Sequence, residues 1–143
     1  MVNNFNVGDK VFGETGIKFS ANAEFVTISS DEVILKKPEK LDFDESSVMC
    51  DGVLTSYNFL KNIAHLKSSD KILIIGASGS LGVAAIQLAN HMKADVTGVC
   101  SNKNVDLVYS LGADHVIDYN KEDFCQLEKE YDVIYDTIGV SSF

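Results

Sequence analysis

The sequence predicts an α/β fold in which strands alternate with helices and lie in one parallel sheet. Ile72–Ile75 is an apolar run that leads into a glycine-rich loop and then into a helical pattern with Leu81 and Ala85 on one face. Strand-like and helix-like segments continue to alternate over residues 71–136. Because strands separated by helices are joined by right-handed crossovers, these strands are expected to be parallel.

The first part of the chain contains short β patterns. Val11–Gly13 follows a turn at Gly8 and Asp9, and Ala23–Ile28 alternates apolar with polar side chains. Both segments are therefore predicted as strands. Pro38 ends this β-rich part.

A helical connector is predicted between the β-rich part and the glycine-rich loop. Asp42, Asp44 and Ser46 are residue types that cap helix N-termini, because their side-chain oxygens accept the free N–H groups of the first turn. Apolar residues then recur at helical spacing from about Glu45 to His65, with an interruption near Gly52.

The remaining segments alternate between strand and helix. Besides the strand at Ile72–Ile75, we predict strands at Asp95–Cys100, His115–Ile117 and Tyr131–Asp136. Helices are predicted after the glycine-rich loop and at about residues 104–111 and 121–130. These segments together would form a four-stranded sheet.

Gly76, Gly79 and Gly82 stand at intervals of three in the loop between strand and helix. A phosphate needs backbone N–H groups that no side chain covers, and the positive end of a helix dipole adds to the attraction. In a Rossmann dinucleotide site, such glycines allow a tight turn, close approach of the pyrophosphate and close packing of helix on strand. The first interval is longer by one residue than in G-x-G-x-x-G, so a glycine-rich turn without a ligand is the alternative. The flanking strand and helix favour nucleotide binding.

The end of the next strand predicts which dinucleotide would bind. A fold that prefers NAD places a carboxylate about 20 residues beyond the glycine loop, on the ribose 2′-hydroxyl. Here the strand ends in Ser101, Asn102 and Lys103, which offer a hydroxyl, an amide and an ammonium group. These groups would attract a 2′-phosphate that a carboxylate would repel, so NADP(H) is predicted. A solvated lysine at the start of the following helix is the alternative for Lys103.

Composition and charge exclude several classes of protein. The 143 residues are 45% hydrophobic and carry a formal net charge of −9, which disfavours nucleic acid and anionic membranes as partners. The sequence has no apolar stretch long enough for a bilayer and no export signal, so a cytoplasmic location is expected. Cys50, Cys100 and Cys125 lie far apart, which indicates reduced thiols, and the histidines share no metal-ligand spacing with them.

Short motifs over nearly the whole chain resemble, in order, those of the medium-chain dehydrogenase/reductase superfamily. They are Gly8–Gly13, Ala23–Val26, Lys37–Pro38, Leu54–Tyr57, Gly76–Gly82, Ile86–Ala89, Leu111–Asp114, Ile117–Tyr119 and Tyr131–Gly139. The resemblance is greatest to its zinc-independent NADPH:quinone oxidoreductases and enone reductases, often labelled alcohol dehydrogenase-like. Zinc alcohol dehydrogenases insert a four-cysteine lobe where Val11 and Ala23 are here joined by a short stretch without cysteine.

This resemblance implies an organisation in three parts. Residues 1–43 would be the C-terminal part of a GroES-like catalytic domain, 44–66 a helical connector, and 67–143 the first half of an NADP-binding Rossmann domain. That half would be a partial doubly wound parallel sheet with strand order 3-2-1-4. Because family chains normally begin earlier and continue further, we expect this chain alone not to catalyse hydride transfer. Its open sheet edge is expected to favour a homo-oligomer.

The resemblance also implies roles for single residues. Ser101 and Lys103 would meet the 2′-phosphate, Tyr119 would pack beside the adenosine phosphate, and Thr55 would approach the nicotinamide. The residues that would hold the pyrophosphate are Gly76, Ala77, Ser78, Gly79, Ser80, Leu81 and Gly82. Packing roles are the alternatives for Thr55 and Tyr119, and no proton donor is indicated.

The implied activity is hydride transfer from NADPH to a small quinone or enone, without zinc. The alternatives are a non-catalytic NADPH-binding or structural module and a zinc-free alcohol dehydrogenase-like enzyme of another substrate class. Tyr57 and Lys61 match the Tyr-x-x-x-Lys spacing of short-chain dehydrogenases, but they precede the glycine loop, whereas that pair follows it. A helix with Tyr57 inside and Lys61 outside is therefore the better interpretation.

Overall fold

The computed structural model describes residues 4–18, 20–126 and 128–139, and the chain divides into two compact units, residues 1–51 and 52–143. In the first unit, β1 (Val11–Gly13) pairs antiparallel with β2 (Ile34–Lys36). The prediction of a strand at Ala23–Ile28 is wrong, because these residues form no strand and residues 21–27 are exposed. An alternating pattern becomes a strand only where a partner and a core are present, and here β1 pairs with β2. The predicted organisation into residues 1–43, 44–66 and 67–143 stays a prediction.

Helical structure extends along the chain from Phe43 to Ile63. Its elements are α1 (Phe43–Ser47), a π-helical segment (Met49–Val53), α2 (Leu54–Tyr57) and a second π-helical segment (Asn58–Ile63). The capping residue is Asp42, whose side chain accepts the Glu45 N–H at 2.7 Å while the Glu45 side chain accepts the Asp42 N–H at 2.9 Å. Because Gly52 lies within the π-helical segment Met49–Val53, it does not interrupt the helical stretch.

The placement of Tyr57 inside its helix is wrong. The side chain is 37% exposed, and the Lys61 ammonium lies 5.2 Å from the centroid of its ring. The contact is a cation–π interaction between two exposed side chains, one in α2 and the other in the second π-helical segment.

The second unit contains the predicted four-stranded parallel sheet. Its strands are β3 (Lys71–Ile75), β4 (Asp95–Cys100), β5 (His115–Asp118) and β6 (Val133–Asp136), in the spatial order β5-β4-β3-β6. All three pairings are parallel. With β3 counted as the first strand of this sheet, the spatial order is 3-2-1-4, which confirms the prediction. Helix α3 (Ser80–His91) follows the glycine loop, and α4 (Val105–Ser110) connects β4 with β5.

The two faces of β3 are covered differently. Ile72 and Ile74 are fully buried in the larger core cluster together with Ala85, Ile86 and Ala89 of α3. Leu88 and Met92 pack against that cluster and are partly buried. On the opposite face, Leu73, Ile75, Val99 and Ile117 form a smaller cluster against which Phe124 and Tyr131 pack. Burial on both faces explains why β3 is apolar without alternation.

The predicted helix at residues 121–130 is wrong. The described part of this segment contains one short 3-10 turn, Phe124–Gln126, and Phe124 alone packs against a core cluster. The Asp123 carboxylate accepts the Cys125 N–H at 3.0 Å, a local bond that competes with helical hydrogen bonding. With so few apolar side chains, the segment has no stripe that a helix could bury.

Substitution of Gly82 by alanine is expected to destabilise the fold. An added Cβ would lie 2.3 Å from the Gly76 carbonyl oxygen and 2.7 Å from the Ala77 Cα, both of them backbone atoms. Overpacking against backbone should cost about 3 kcal/mol, and a gain of about 1 kcal/mol in helix propensity offsets only part of it. Urea unfolding measures the difference.

Gly79→Ala is the matched control, because its Cβ would meet only the Gly76 carbonyl oxygen, at 3.4 Å. As an N-cap change from Gly to Ala, it should cost about 0.5 kcal/mol. A Gly82→Ala chain as stable as the Gly79→Ala chain would contradict the close contact of α3 with the loop.

Candidate dinucleotide-binding cleft

A cleft of about 780 Å³ lies at the carboxyl ends of the parallel strands. The glycine loop and the first turn of α3 supply Gly76, Ser78, Gly79, Ser80 and Leu81 to its lining. Further lining residues follow β4, β5 and β6, among them Ser101, Asn104, Tyr119 and Thr137. Ligands of doubly wound sheets bind at this end of the strands, beside the point where the strand order reverses.

The glycine loop brings backbone to the surface of the cleft. Gly76 turns the chain out of β3 with φ +78°, and a Cβ there would lie 2.5 Å from the Thr137 hydroxyl oxygen. Gly79 is the N-cap of α3 in extended conformation, and no side chain caps its helix. The N–H groups of the first helical turn have no intrahelical partners, so they are donors at the positive end of the helix dipole.

Three hydrogen bonds hold the loop in place. The Ala77 N–H donates to the Val99 carbonyl oxygen at 3.0 Å, which joins the loop to β4. The Thr137 hydroxyl donates to the Ile75 carbonyl oxygen at 2.8 Å, which joins the residues after β6 to the end of β3. The Asn104 side-chain Nδ2 donates to the Ser78 Oγ at 2.9 Å, across the gap between the β3 and β4 loops.

The structure brings most of the predicted site residues together. Gly76, Ser78–Leu81, Ser101 and Tyr119 line the cleft, while Ala77 and Gly82 are buried beneath the loop. Lys103 and Thr55 do not line it. Lys103 is exposed in the 3-10 turn Asn102–Asn104, and Thr55 lies half-buried in α2. The ligand roles assigned to these residues stay predictions.

Helix α2 contacts the first turn of α3 closely. The buried Ser56 hydroxyl donates to the Leu81 carbonyl oxygen at 2.9 Å. A Cβ at Gly52 would lie 2.8 Å from the Ser80 Oγ. Thr55 therefore belongs to a helix that supports the N-terminus of α3, although its own side chain does not reach the cleft lining.

Sequence reasoning missed several residues that the fold brings into the cleft. Asn104, Phe124 and Thr137 all line it. The signal for Asn104 was a side-chain amide three residues after Ser101, because a tight turn after a strand returns such a residue toward the strand end. The Asn104 N–H indeed donates to the Ser101 carbonyl oxygen at 2.9 Å.

Cys100 and Asp118, which lie in or beside the cleft, have shifted pKa values. Burial raises the pKa of the Cys100 thiol, and the nearby Asp118 carboxylate raises it further. Burial also raises the pKa of Asp118, but hydrogen bonds from Asn120 and the charge of Lys121 outweigh it, so the net pKa is lowered. A protonated thiol and an ionised, hydrogen-bonded carboxylate are poor candidates for nucleophile or general base at neutral pH.

The part of the chain that the structure describes contains neither a candidate metal centre nor a candidate membrane-spanning helix. Within it, no group of three or more His, Cys, Asp or Glu side chains could hold a metal ion. Nor does any helix in residues 4–18, 20–126 and 128–139 have the length and apolarity needed to cross a bilayer. The expectation of no zinc stays a prediction.

Comparison with known proteins gives related oxidoreductases. A family model described as "Zinc-binding dehydrogenase" matches residues 80–143. The chain is 34% identical over 141 residues to the 2-methylene-furan-3-one reductase of Solanum lycopersicum, covering 92% of this chain and 36% of that protein. It is 30% identical over 148 residues to the chloroplastic NADPH-dependent alkenal/one oxidoreductase of Arabidopsis thaliana, covering 97% of this chain and 38% of that protein.

A solved structure is also similar. The quinone oxidoreductase from Coxiella burnetii matches with a TM-score of 0.87 and 36% identity, covering 96% of this chain and 44% of that one. The chain thus spans less than half the length of each of these proteins.

Asp118→Asn is expected to lower the melting temperature at pH 7. The lowered pKa of Asp118 means that its carboxylate stabilises the fold above its ordinary pKa of 3.8. This contribution is lost as the pH falls through the lower folded value, so the difference from wild type should narrow below about pH 4. Thermal melts from pH 2 to pH 7 measure it. Glu122→Gln, an exposed carboxylate of the same turn, is the control, and a difference independent of pH would contradict the assignment.

Proposed function

Because the chain belongs to the medium-chain dehydrogenase/reductase superfamily, we propose that it forms the NADPH-binding part of an oxidoreductase that reduces quinones or enones. The observation that carries this proposal is the cleft where the glycine loop, the N-terminus of α3 and the carboxyl ends of the strands meet. The names of the relatives support the reaction class: a furanone reductase, an alkenal/one oxidoreductase and a quinone oxidoreductase.

The residues present fit a dinucleotide phosphate. At Gly79 a Cβ would meet no protein atom closer than 3.4 Å, so packing of the chain does not require glycine there. The space that a side chain would occupy lies at the N-terminus of α3, open to the cleft. Close approach of a phosphate to the backbone accounts for glycine at this position.

The chain's own contribution is binding and orientation. When bound, NADPH supplies the hydride, so the protein needs to hold the dinucleotide in one pose against the acceptor. The glycine loop would bind the pyrophosphate through backbone N–H groups, and Ser101 would donate to the adenosine end. Tyr119 and Phe124 add ring surface to the same cleft, which suits the adenosine.

Further parts of the proposal rest on the sequence analysis. We infer that Thr55 approaches the nicotinamide, that the reaction uses no zinc, and that the protein is a cytoplasmic homo-oligomer. The β6 strand supports the last point, because its Ile134 is 44% exposed on the outer strand of the sheet.

Gly79→Ala tests the phosphate site directly. A methyl group in the open space should block close approach of the pyrophosphate and remove charge-assisted hydrogen bonds worth about 1.5–3 kcal/mol. The Kd for NADPH should therefore rise about 10-fold to 100-fold, measured by calorimetry. Stability should change by only about 0.5 kcal/mol, so loss of binding cannot be attributed to unfolding. Unchanged NADPH affinity would contradict the site.

Lys103→Ala tests the predicted choice of cofactor. Its ammonium has no hydrogen bond or ion pair within the described residues, so it is available for a 2′-phosphate. Because Lys103 is exposed, the loss should lie near the low end, about 1.5 kcal/mol or tenfold in NADPH affinity. NADH affinity should not change, and the loss should shrink at high salt. Lys67→Ala, another exposed lysine of the same unit, is the control. Equal affinity of the wild type for NADPH and NADH would contradict the prediction.

A further inference from the structure

Ser56 is a buried serine whose hydroxyl joins two helices of the second unit. Its side chain is 0% exposed, and its Oγ donates to the Leu81 carbonyl oxygen at 2.9 Å. Ser56 lies in α2, whereas Leu81 lies in the first turn of α3. Because a serine within a helix commonly bonds to a carbonyl of its own helix, this bond to another helix calls for an explanation.

The accepting oxygen belongs to the peptide unit between Leu81 and Gly82. That unit also carries the Gly82 N–H, which is the third N–H of α3, since the helix begins at Ser80 with Gly79 as its N-cap. The N–H groups of a first helical turn have no intrahelical partner, and they are the donors that a bound phosphate uses. Because a peptide unit is planar, the hydrogen bond from Ser56 fixes the direction of one such donor.

The same hydrogen bond strengthens that donor. A carbonyl oxygen has two lone pairs, and in an α-helix one of them accepts the N–H four residues further on, so the Ser56 hydroxyl occupies the second. A hydrogen bond to the oxygen of a peptide unit polarises the N–H of that unit, and the effect is larger where water is excluded. Ser56 and Gly82 are buried and Leu81 is half-buried, so the bond lies away from bulk water.

A second contact holds the first turn of α3 from the same side. Gly52 is buried, and a Cβ there would lie 2.9 Å from the Ser80 carbonyl oxygen, whose peptide unit carries the Leu81 N–H. Residues 52–56 thus lie against two successive peptide units, by close backbone contact at Gly52 and by a hydrogen bond at Ser56. Of these two contacts, the hydrogen bond is the directional one, so it sets the orientation of the turn.

We propose that Ser56 is a positioning residue of the phosphate site, whose hydroxyl orients the Leu81–Gly82 peptide so that the Gly82 N–H is directed at the pyrophosphate. The inference rests on the proposed function and assigns a role to a residue that would not touch the cofactor. It also connects the phosphate site with α2, the helix that carries Thr55. Because Ser56 acts through one peptide unit, its loss should weaken phosphate binding and leave the adenosine end of the cleft unchanged.

Ser56→Ala in the complete 143-residue chain is the first test. Calorimetry would measure the Kd for NADPH directly and the Kd for adenosine 2′-monophosphate, which lacks the pyrophosphate, by competition. The Kd for NADPH should rise about threefold to tenfold, while that for the monophosphate stays within about twofold. In ¹⁵N-labelled protein without ligand, the Gly82 amide resonance should shift, because its peptide unit loses the bond to the carbonyl oxygen.

Ser56→Cys separates the hydrogen bond from packing. The thiol keeps a side chain of similar shape at the buried position but is only a weak donor, so this variant should also lose NADPH affinity about threefold or more. Its Gly82 resonance should shift as well. This variant decides the question if Ser56→Ala does not fold. Wild-type NADPH affinity in Ser56→Cys would overturn the inference in favour of packing.

Ser46→Ala is the matched control, because Ser46 is also 0% exposed and its hydroxyl also donates to a backbone carbonyl oxygen, that of Asp42, at 2.6 Å. It removes the same group from the first unit and should leave the Kd for NADPH within about twofold. Equal losses in Ser46→Ala and Ser56→Ala, or equal losses for NADPH and the monophosphate, would overturn the inference in favour of a general loosening of the fold. An unchanged NADPH affinity or an unchanged Gly82 resonance in Ser56→Ala would overturn it while leaving the proposed function in place. Failure of the wild type to bind NADPH would overturn the proposed function together with the inference.

Discussion

The close crossing of α3 over the loop that follows β3 is the constraint on which the rest of the second unit depends. At Gly82 there is no room for a Cβ, since the Gly76 carbonyl oxygen would be 2.3 Å away. Because helix and loop are in backbone contact, the first turn of α3 starts directly beyond the end of β3. The hydrogen bond from Ala77 to Val99 then fixes the loop against β4. Backbone packing thus determines the position of the cleft, whichever side chains line it.

The sequence could predict those elements whose own pattern of apolar residues shows which faces are buried. β3 is buried on both faces, so an unbroken apolar run sufficed, and α3 carries its apolar residues at helical spacing. The predictions of a strand at Ala23–Ile28 and of a helix at residues 121–130 were wrong because burial there depends on other parts of the chain. A pattern states which side chains could face a core, but not whether a partner strand or an apolar surface is present. Where none was available, local turns and exposed chain formed instead.

The candidate site divides in the same way. The glycine loop could be predicted because absent side chains are visible in a sequence. Thr137 could not, because it is held at the cleft by a hydrogen bond to a residue 62 positions away. The spacing after Ser101 points to Asn104 but not to its partner 26 positions away, and both bonds exist only once the strand order is set. The prediction for Lys103 rested on its charge. In the turn after β4, however, the neighbouring Asn104 lines the cleft and Lys103 does not.

The proposed binding of a polyanion by an acidic chain needs a physical explanation, since the formal net charge is −9. At physiological salt, charges further than about 8–10 Å from the ligand are largely screened, so the sum over the surface matters little. Groups in contact with a phosphate decide its binding, and the described lining of the cleft contains hydroxyl, amide and backbone donors without a carboxylate. The nearby buried carboxylate, Asp118, is already compensated by hydrogen bonds from Asn120 and by Lys121 at 3.5 Å. The acidic residues can therefore keep the protein soluble while the cleft itself remains attractive to an anion.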